Sequence, residues 1–218
     1  MNHRPARASY VHVTPFKKML MAAGALGALL LCIGMLSTAH AEGGGFSSAD
    51  RASLAQGNLV SRPSIQTLEG AEWLGGTSFR VIDRPMTEVW AALGNVATYP
   101  YMLPATEEAR LEHVESGARI VRVRQSSMGV DARYSLRMTS DANTHEIRFE
   151  LDRRRPHDIE GARGFIEVRP FPGDPARTLV TWAVRVRLPD AIATVFRDTI
   201  QVWLMRVPST LKEYLEAL

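Results

Sequence analysis

One cysteine, Cys32, is all the sequence holds, so no disulfide can form within the chain. Cys32 lies inside the longest apolar run, Met19 to Leu36, and the residues around that run decide what it is. Arg4, Arg7, Lys17 and Lys18 precede it, and Ser37-Thr38-Ala39-His40-Ala41 follows. A basic flank, an apolar stretch and a small-x-small site are the parts of an export signal, here cleaved after Ala41. The protein is then periplasmic or secreted, and its mature form has no cysteine and must rely on an ordinary hydrophobic core. The alternative is a membrane anchor through residues 19–36, because a run of about 18 residues just spans a bilayer. A lipid attached at Cys32 fits less well, since bulky Leu31 precedes it and the apolar run continues past it.

An excess of charge of one sign is missing too. Lys and Arg number 26 against 23 Asp and Glu, and the segment before Glu42 holds four of the basic residues and none of the acidic ones. The remainder has 22 basic against 23 acidic side chains, a formal charge of −1, so the basic overall balance is no argument for nucleic acid. Familiar catalytic signatures are absent as well: there is no Gly-x-Ser-x-Gly, no His-Glu-x-x-His and no phosphate-binding glycine loop. His113, His145 and His157 fall in different predicted elements without metal-ligand spacing. No catalytic residue, metal or cofactor is therefore expected.

What the sequence does hold is alternation. Glu42 to Leu74, beginning with Gly43-Gly44-Gly45, reads as a linker and a pre-domain segment, with a short Ser-capped helix after Ser48 and an extended edge at Leu59-Val60. The domain is expected over 75–218. Thr77 to Ile82 forms a first strand, and Pro85 opens a short helix, Met86 to Leu93. Apolar and polar residues then alternate over Arg119–Ser127, Asp131–Thr139, His145–Leu151, Gly164–Pro170 and, most clearly, Thr178–Leu188. Glu107–Glu115 is irregular, with Leu111 and Val114 out of phase. Such runs predict an antiparallel sheet with one dry and one wet face. From Ile192 to Leu218 apolar residues recur every three or four positions, a long helix that Pro208 should bend.

A sheet with one apolar face needs a cover, and the C-terminal helix is the one element large enough. The expected fold class is α+β, a helix-grip fold in which a curved antiparallel sheet of six to seven strands wraps around a long C-terminal helix. At this point the chain resembles the START-like superfamily, also called SRPBCC. Gly76-Thr77-Ser78-Phe79-Arg80-Val81-Ile82-Asp83-Arg84-Pro85-Met86-Thr87-Glu88-Val89-Trp90 is similar to its opening strand and Pro-x-x-x-Val-Trp signature. Asn95-Val96-Ala97-Thr98-Tyr99-Pro100-Tyr101-Met102-Leu103-Pro104 is similar to its Asp-x-x-x-Tyr-Pro-x-x-x-Pro turn, with Asn95 where an acidic residue is usual. Within the superfamily the chain looks most like polyketide cyclase/dehydrase and coenzyme Q-binding domains.

The interior residues Tyr134, Phe149, Trp182 and Trp203 would serve equally as core or as cavity lining. The resemblance implies a cavity, lined by these four with Gln125, Leu136, Val184, Phe196, Ile200 and Leu204, and opening near Tyr99, Tyr101 and Met102. An apolar ligand suits it: burying about 400 Å² at roughly 25 cal/mol per Å² gives about 10 kcal/mol gross. One hydrogen bond supplies only about 1 kcal/mol, so Gln125, Ser127 and Tyr134 would orient a ligand rather than hold it. The arginines of Asp152-Arg153-Arg154-Arg155-Pro156-His157-Asp158 could gate an anionic head group, but pairing with Asp152, Asp158 and Glu160 on a solvated turn is the plainer reading.

The expected function is an exported, non-enzymatic carrier of a hydrophobic small molecule such as a lipid, quinone or polyketide-like compound. It is expected to be a monomer that binds no nucleic acid, with transient membrane contact left open. The alternatives are a cyclase or dehydratase using Tyr134 or His145, and an interaction module whose cavity is filled.

Overall fold

The computed structural model describes residues 45–68, 70–127 and 129–218, so Cys32, the export signal and the anchor alternative lie outside the described residues. Alternating side chains make strands of most of the chain after Leu59. β1 (Val60–Leu68), β2 (Ala71–Ile82), β3 (Thr106–Glu115), β4 (Ala118–Ser127), β5 (Val130–Asp141), β6 (Glu146–Leu151), β7 (Gly161–Phe171) and β8 (Asp174–Arg187) form one sheet. Its order is β1-β2-β8-β7-β6-β5-β4-β3, antiparallel throughout. α1 (Ser48–Ala55) precedes β1, while α2 (Met86–Gly94), a 3-10 turn (Val96–Thr98) and α3 (Tyr99–Met102) join β2 to β3. α4 (Asp190–Met205) and α5 (Val207–Glu216) end the chain across the concave face. This is the helix-grip architecture.

The sheet has eight strands rather than six or seven, because it takes in residues expected to lie before the domain. β1 exposes most of its side chains and contains Pro63, so hydropathy does not mark it. It is held through its backbone, paired with β2 from Val60↔Phe79 to Leu68↔Ala71, and an edge strand tolerates the proline. The outer face is not uniformly wet either. α1, opened by a reciprocal Ser47–Asp50 capping box, lays Leu54 on Phe79 and Val81 of β2 and makes a second small core there. At the other edge, register shifts after Thr106 and Leu111 explain the broken alternation of β3 and leave Leu111 and Val114 exposed.

The C-terminal stripe was expected to be one bent helix. It is two, separated at Arg206. Pro208 has no N–H for the carbonyl of Leu204 four residues before it. The indole Nε1–H of Trp182 donates to that carbonyl at 2.8 Å, so a core side chain from β8 satisfies the backbone group that the proline orphans. Pro208 itself then sits in the first turn of α5, where a missing N–H costs nothing.

Sheet curvature comes from glycines placed around Val184 of β8. Gly76 of β2 pairs with it on one side and Gly164 of β7 on the other. A Cβ at Gly164 would lie 2.1 Å from the Ala183 carbonyl oxygen and 2.6 Å from the ring of Phe149. Next along β2, Gly75 adopts φ 153° and turns its peptide groups toward α4, where Gln201 Nε2 donates to its carbonyl and Gln201 Oε1 accepts from its N–H at 3.1 Å. One side chain of α4 thus ties the helix to the bend.

Candidate functional site

Sheet, α4 and the α4–α5 break enclose a cleft of about 160 Å³. Its floor is the concave face: Tyr134 and Leu136 from β5, Phe149 from β6, and Trp182 and Val184 from β8, all buried. Alternation puts these on one side of the sheet, and Phe149 stacks on Trp182 with ring centroids 5.1 Å apart. The roof is the apolar stripe of α4, with Phe196, Ile200, Trp203 and Leu204 half-buried over the space. The rim lies where lining residues are again only half-buried: Leu103 to Ala105, Gln125 to Ser127, Val130, and Leu188 with Ile192. The interior is therefore not filled.

Ten of the thirteen residues expected to line a cavity surround this one. Tyr99, Tyr101 and Met102 do not, and the doorway expected there is corrected. Tyr99 is buried and donates its hydroxyl to the Leu93 carbonyl at 3.0 Å. Met102 is core, and its carbonyl accepts from Thr210 of α5. Tyr101 points outward, 69% exposed, and stacks on Tyr214 of α5. Docking on α5 aims α3 away from the cleft, and the residues just after it, Leu103, Pro104 and Ala105, form the rim instead. Ala132 and Val186 also line the space and share strand faces with Tyr134 and Val184, so alternation alone could have found them. Ile159 and Ala162 come from the β6–β7 connection and the start of β7, where no periodic signal leads to them.

The polar end of the cleft is small. Tyr134 donates its hydroxyl to Gln125 Oε1 at 2.8 Å, and Gln125 Nε2 donates to the Pro104 carbonyl at 3.1 Å and to Thr106 Oγ1 at 3.3 Å. Burial holds the Tyr134 hydroxyl well above its ordinary pKa, so it stays protonated. Among the described residues lining the cleft there is no Asp, Glu, His, Lys or Arg. His145 lies away from it, at the β5–β6 turn, edge-on to Trp90 at 5.3 Å. Among the described residues no three His, Cys, Asp or Glu side chains converge as a metal site.

The arginine-rich turn after β6 is an ion-pair cluster in which Asp152 pairs as expected, while Asp158 and Glu160 take partners outside the turn. Asp152 receives Arg154 Nε at 2.9 Å and Arg155 Nε at 3.3 Å. Arg154 also meets Glu115, and Arg155 meets Glu112, both on β3. Asp158 instead accepts the Arg133 backbone N–H, and Glu160 pairs with Arg187. Hydrogen bonds from Arg154 hold the buried Asp152 carboxyl at about 2, below its ordinary 3.8. A folded-state pKa lowered in this way stabilises the protein above about pH 4, and the benefit drains away as pH falls toward 2. Asp152→Asn should therefore cost about 1–2 kcal/mol at pH 7, after discounting for solvent at the arginines, and flatten the acid limb of a urea-melt pH series.

Residues 76–213 match the family described as polyketide cyclase / dehydrase and lipid transport. No curated protein matches the chain in sequence. Among solved structures the fold recurs in TTHA0849 from Thermus thermophilus, at TM-score 0.55 and 18% identity over 65% of this chain and 96% of that one. It recurs in the Zhui aromatase/cyclase from Streptomyces, at TM-score 0.52 and 16% identity over 65% and 90%. A STAR-related lipid transfer protein from Xanthomonas axonopodis gives TM-score 0.51 and 13% identity over 72% and 98%. Identities this low establish a common fold and nothing finer.

Proposed function

The chain belongs to the polyketide cyclase / dehydrase and lipid transport family, and on that premise we propose that it is an exported, non-enzymatic carrier of a hydrophobic small molecule held between the sheet and α4. One observation carries the reading. The cleft presents aromatic and aliphatic surface with no charged side chain among its described lining residues. A cyclase or dehydratase needs groups that exchange protons near neutral pH. Among the described lining residues Tyr134 carries the one ionisable side chain, and its burial moves it further from that range. The shared fold is neutral here, since it serves both an aromatase/cyclase and a lipid transfer protein. The site's own chemistry favours carriage.

Export rests on the sequence, where Ala39-His40-Ala41 closes the apolar run. Native mass spectrometry of the protein purified from its own host tests both parts together. The expected spectrum shows a chain starting at Glu42 with an apolar molecule bound. An empty cleft that also takes up no lipid from vesicles overturns carriage, and an intact residue 1–41 segment overturns export.

A further inference from the structure

The polar end of the cleft has a sign, and it follows from counting donors and acceptors. Gln125 has two N–H groups, and both are used, on the Pro104 carbonyl and Thr106 Oγ1. The Pro104 carbonyl can only accept, which fixes the amide with its oxygen toward Tyr134. That oxygen receives the single hydroxyl hydrogen of Tyr134 at 2.8 Å. What remains free on the pair is lone pairs alone, on Tyr134 Oη and Gln125 Oε1. Ser126 and Ser127, half-buried at the rim, can donate or accept and add no preference. At the N-terminus of α4 the charge works against an anion. Ile192 and Ala193 donate their N–H groups to the Pro189 carbonyl, and Asp190 fills the first turn with negative charge.

From this we infer that the ligand is a neutral molecule carrying a hydroxyl or N–H donor, which it presents to the oxygens of Tyr134 and Gln125, and that amphiphiles carried as anions are rejected. The inference rests on the carrier reading and narrows its ligand class. A carboxylate brought to this end of the cleft would face lone pairs without a cation, after giving up its water. An ether or ketone could enter, but it would set acceptor against acceptor and gain nothing from the pair. An alcohol or phenol forms the missing bond, and a site built for a donor discriminates strongly against analogues without one.

Three matched naphthalenes test it: naphthol, methoxynaphthalene and the naphthoate anion, substituted at the same ring carbon and titrated at pH 7 by calorimetry. Naphthol should bind about tenfold tighter than methoxynaphthalene and tighter still than naphthoate. Gln125→Leu should erase the first preference, because the freed Tyr134 hydroxyl can donate to either ligand as readily as it accepts. Tyr134→Phe should keep it, because Gln125 Oε1 still accepts. Thermal melts of both variants confirm that each is folded before the titrations are compared. Naphthoate or methoxynaphthalene binding as tightly as naphthol to the native protein overturns this inference and leaves the carrier reading standing. If none of the three enters, the carrier reading fails and takes the inference with it.

Discussion

Gly75→Ala should unfold the protein, or destabilise it by more than about 4 kcal/mol, beyond the usual range for one methyl group. The new Cβ would stand 1.9 Å from the Val184 carbonyl oxygen and 2.9 Å from the Arg185 Cα, and both belong to the neighbouring strand's backbone. Backbone cannot rotate out of the way as a side chain could. The only relief is to open the β2–β8 ladder at the bend, which also pulls Gly75 away from Gln201 and frees α4 from the sheet. Gly173→Ala separates this clash from the cost of positive φ alone: at φ 85° nothing lies within 4 Å of the added carbon. It should cost only about 1 kcal/mol, the ordinary penalty for alanine in a left-handed conformation. In thermal melts the two variants should differ by roughly 10 °C for a domain of this size. Equal shifts would mean that the sheet can bend without Gly75.

That contrast bears on how much of the molecule could be read in its residues. Strand faces were legible, because alternation is local: Tyr134, Leu136, Trp182 and Val184 share the concave side by parity alone. The stripe of α4 was legible for the same reason, and the two sets meet across the cleft. Features that depend on a distant partner were not. β1 is fixed by backbone pairing that its polar side chains do not announce. The doorway was placed a few residues too early, since only contacts with Thr210 and Tyr214 of α5 show that α3 faces outward. Arg154 and Arg155 of the β6–β7 turn do pair with their neighbour Asp152, but their other partners, Glu115 and Glu112 on β3, lie some forty residues back. Pro208 signalled a disturbance in the helix, but only the fold could show that Trp182 would repair it.

Ala132→Phe should weaken uptake about ten- to a hundredfold while leaving the fold as stable as before, and that combination separates a cavity kept for a ligand from a flaw in packing. Ala132 lies opposite Gln125 in the β4–β5 ladder, and its side chain lines the cleft. The cleft's volume, about 160 Å³, is close to that of engineered apolar cavities of about 150 Å³ that accept benzene. A phenyl ring carried by the protein should therefore occupy much of the space a ligand would use. Voids weaken proteins because their walls lack contacts on one side. Supplying those contacts from within should hold the melting temperature level or raise it. Affinity for an apolar probe should fall about ten- to a hundredfold, since a buried aromatic ring accounts for roughly 1.5–3 kcal/mol of transfer free energy. A destabilised variant would show that the walls cannot admit the ring, since overpacking costs about 1–3 kcal/mol. Unchanged uptake would place the ligand elsewhere on the protein. A stable variant with uptake so weakened would mean that this chain gives up packing energy to keep Tyr134, Phe149 and Trp182 facing a space it does not fill itself.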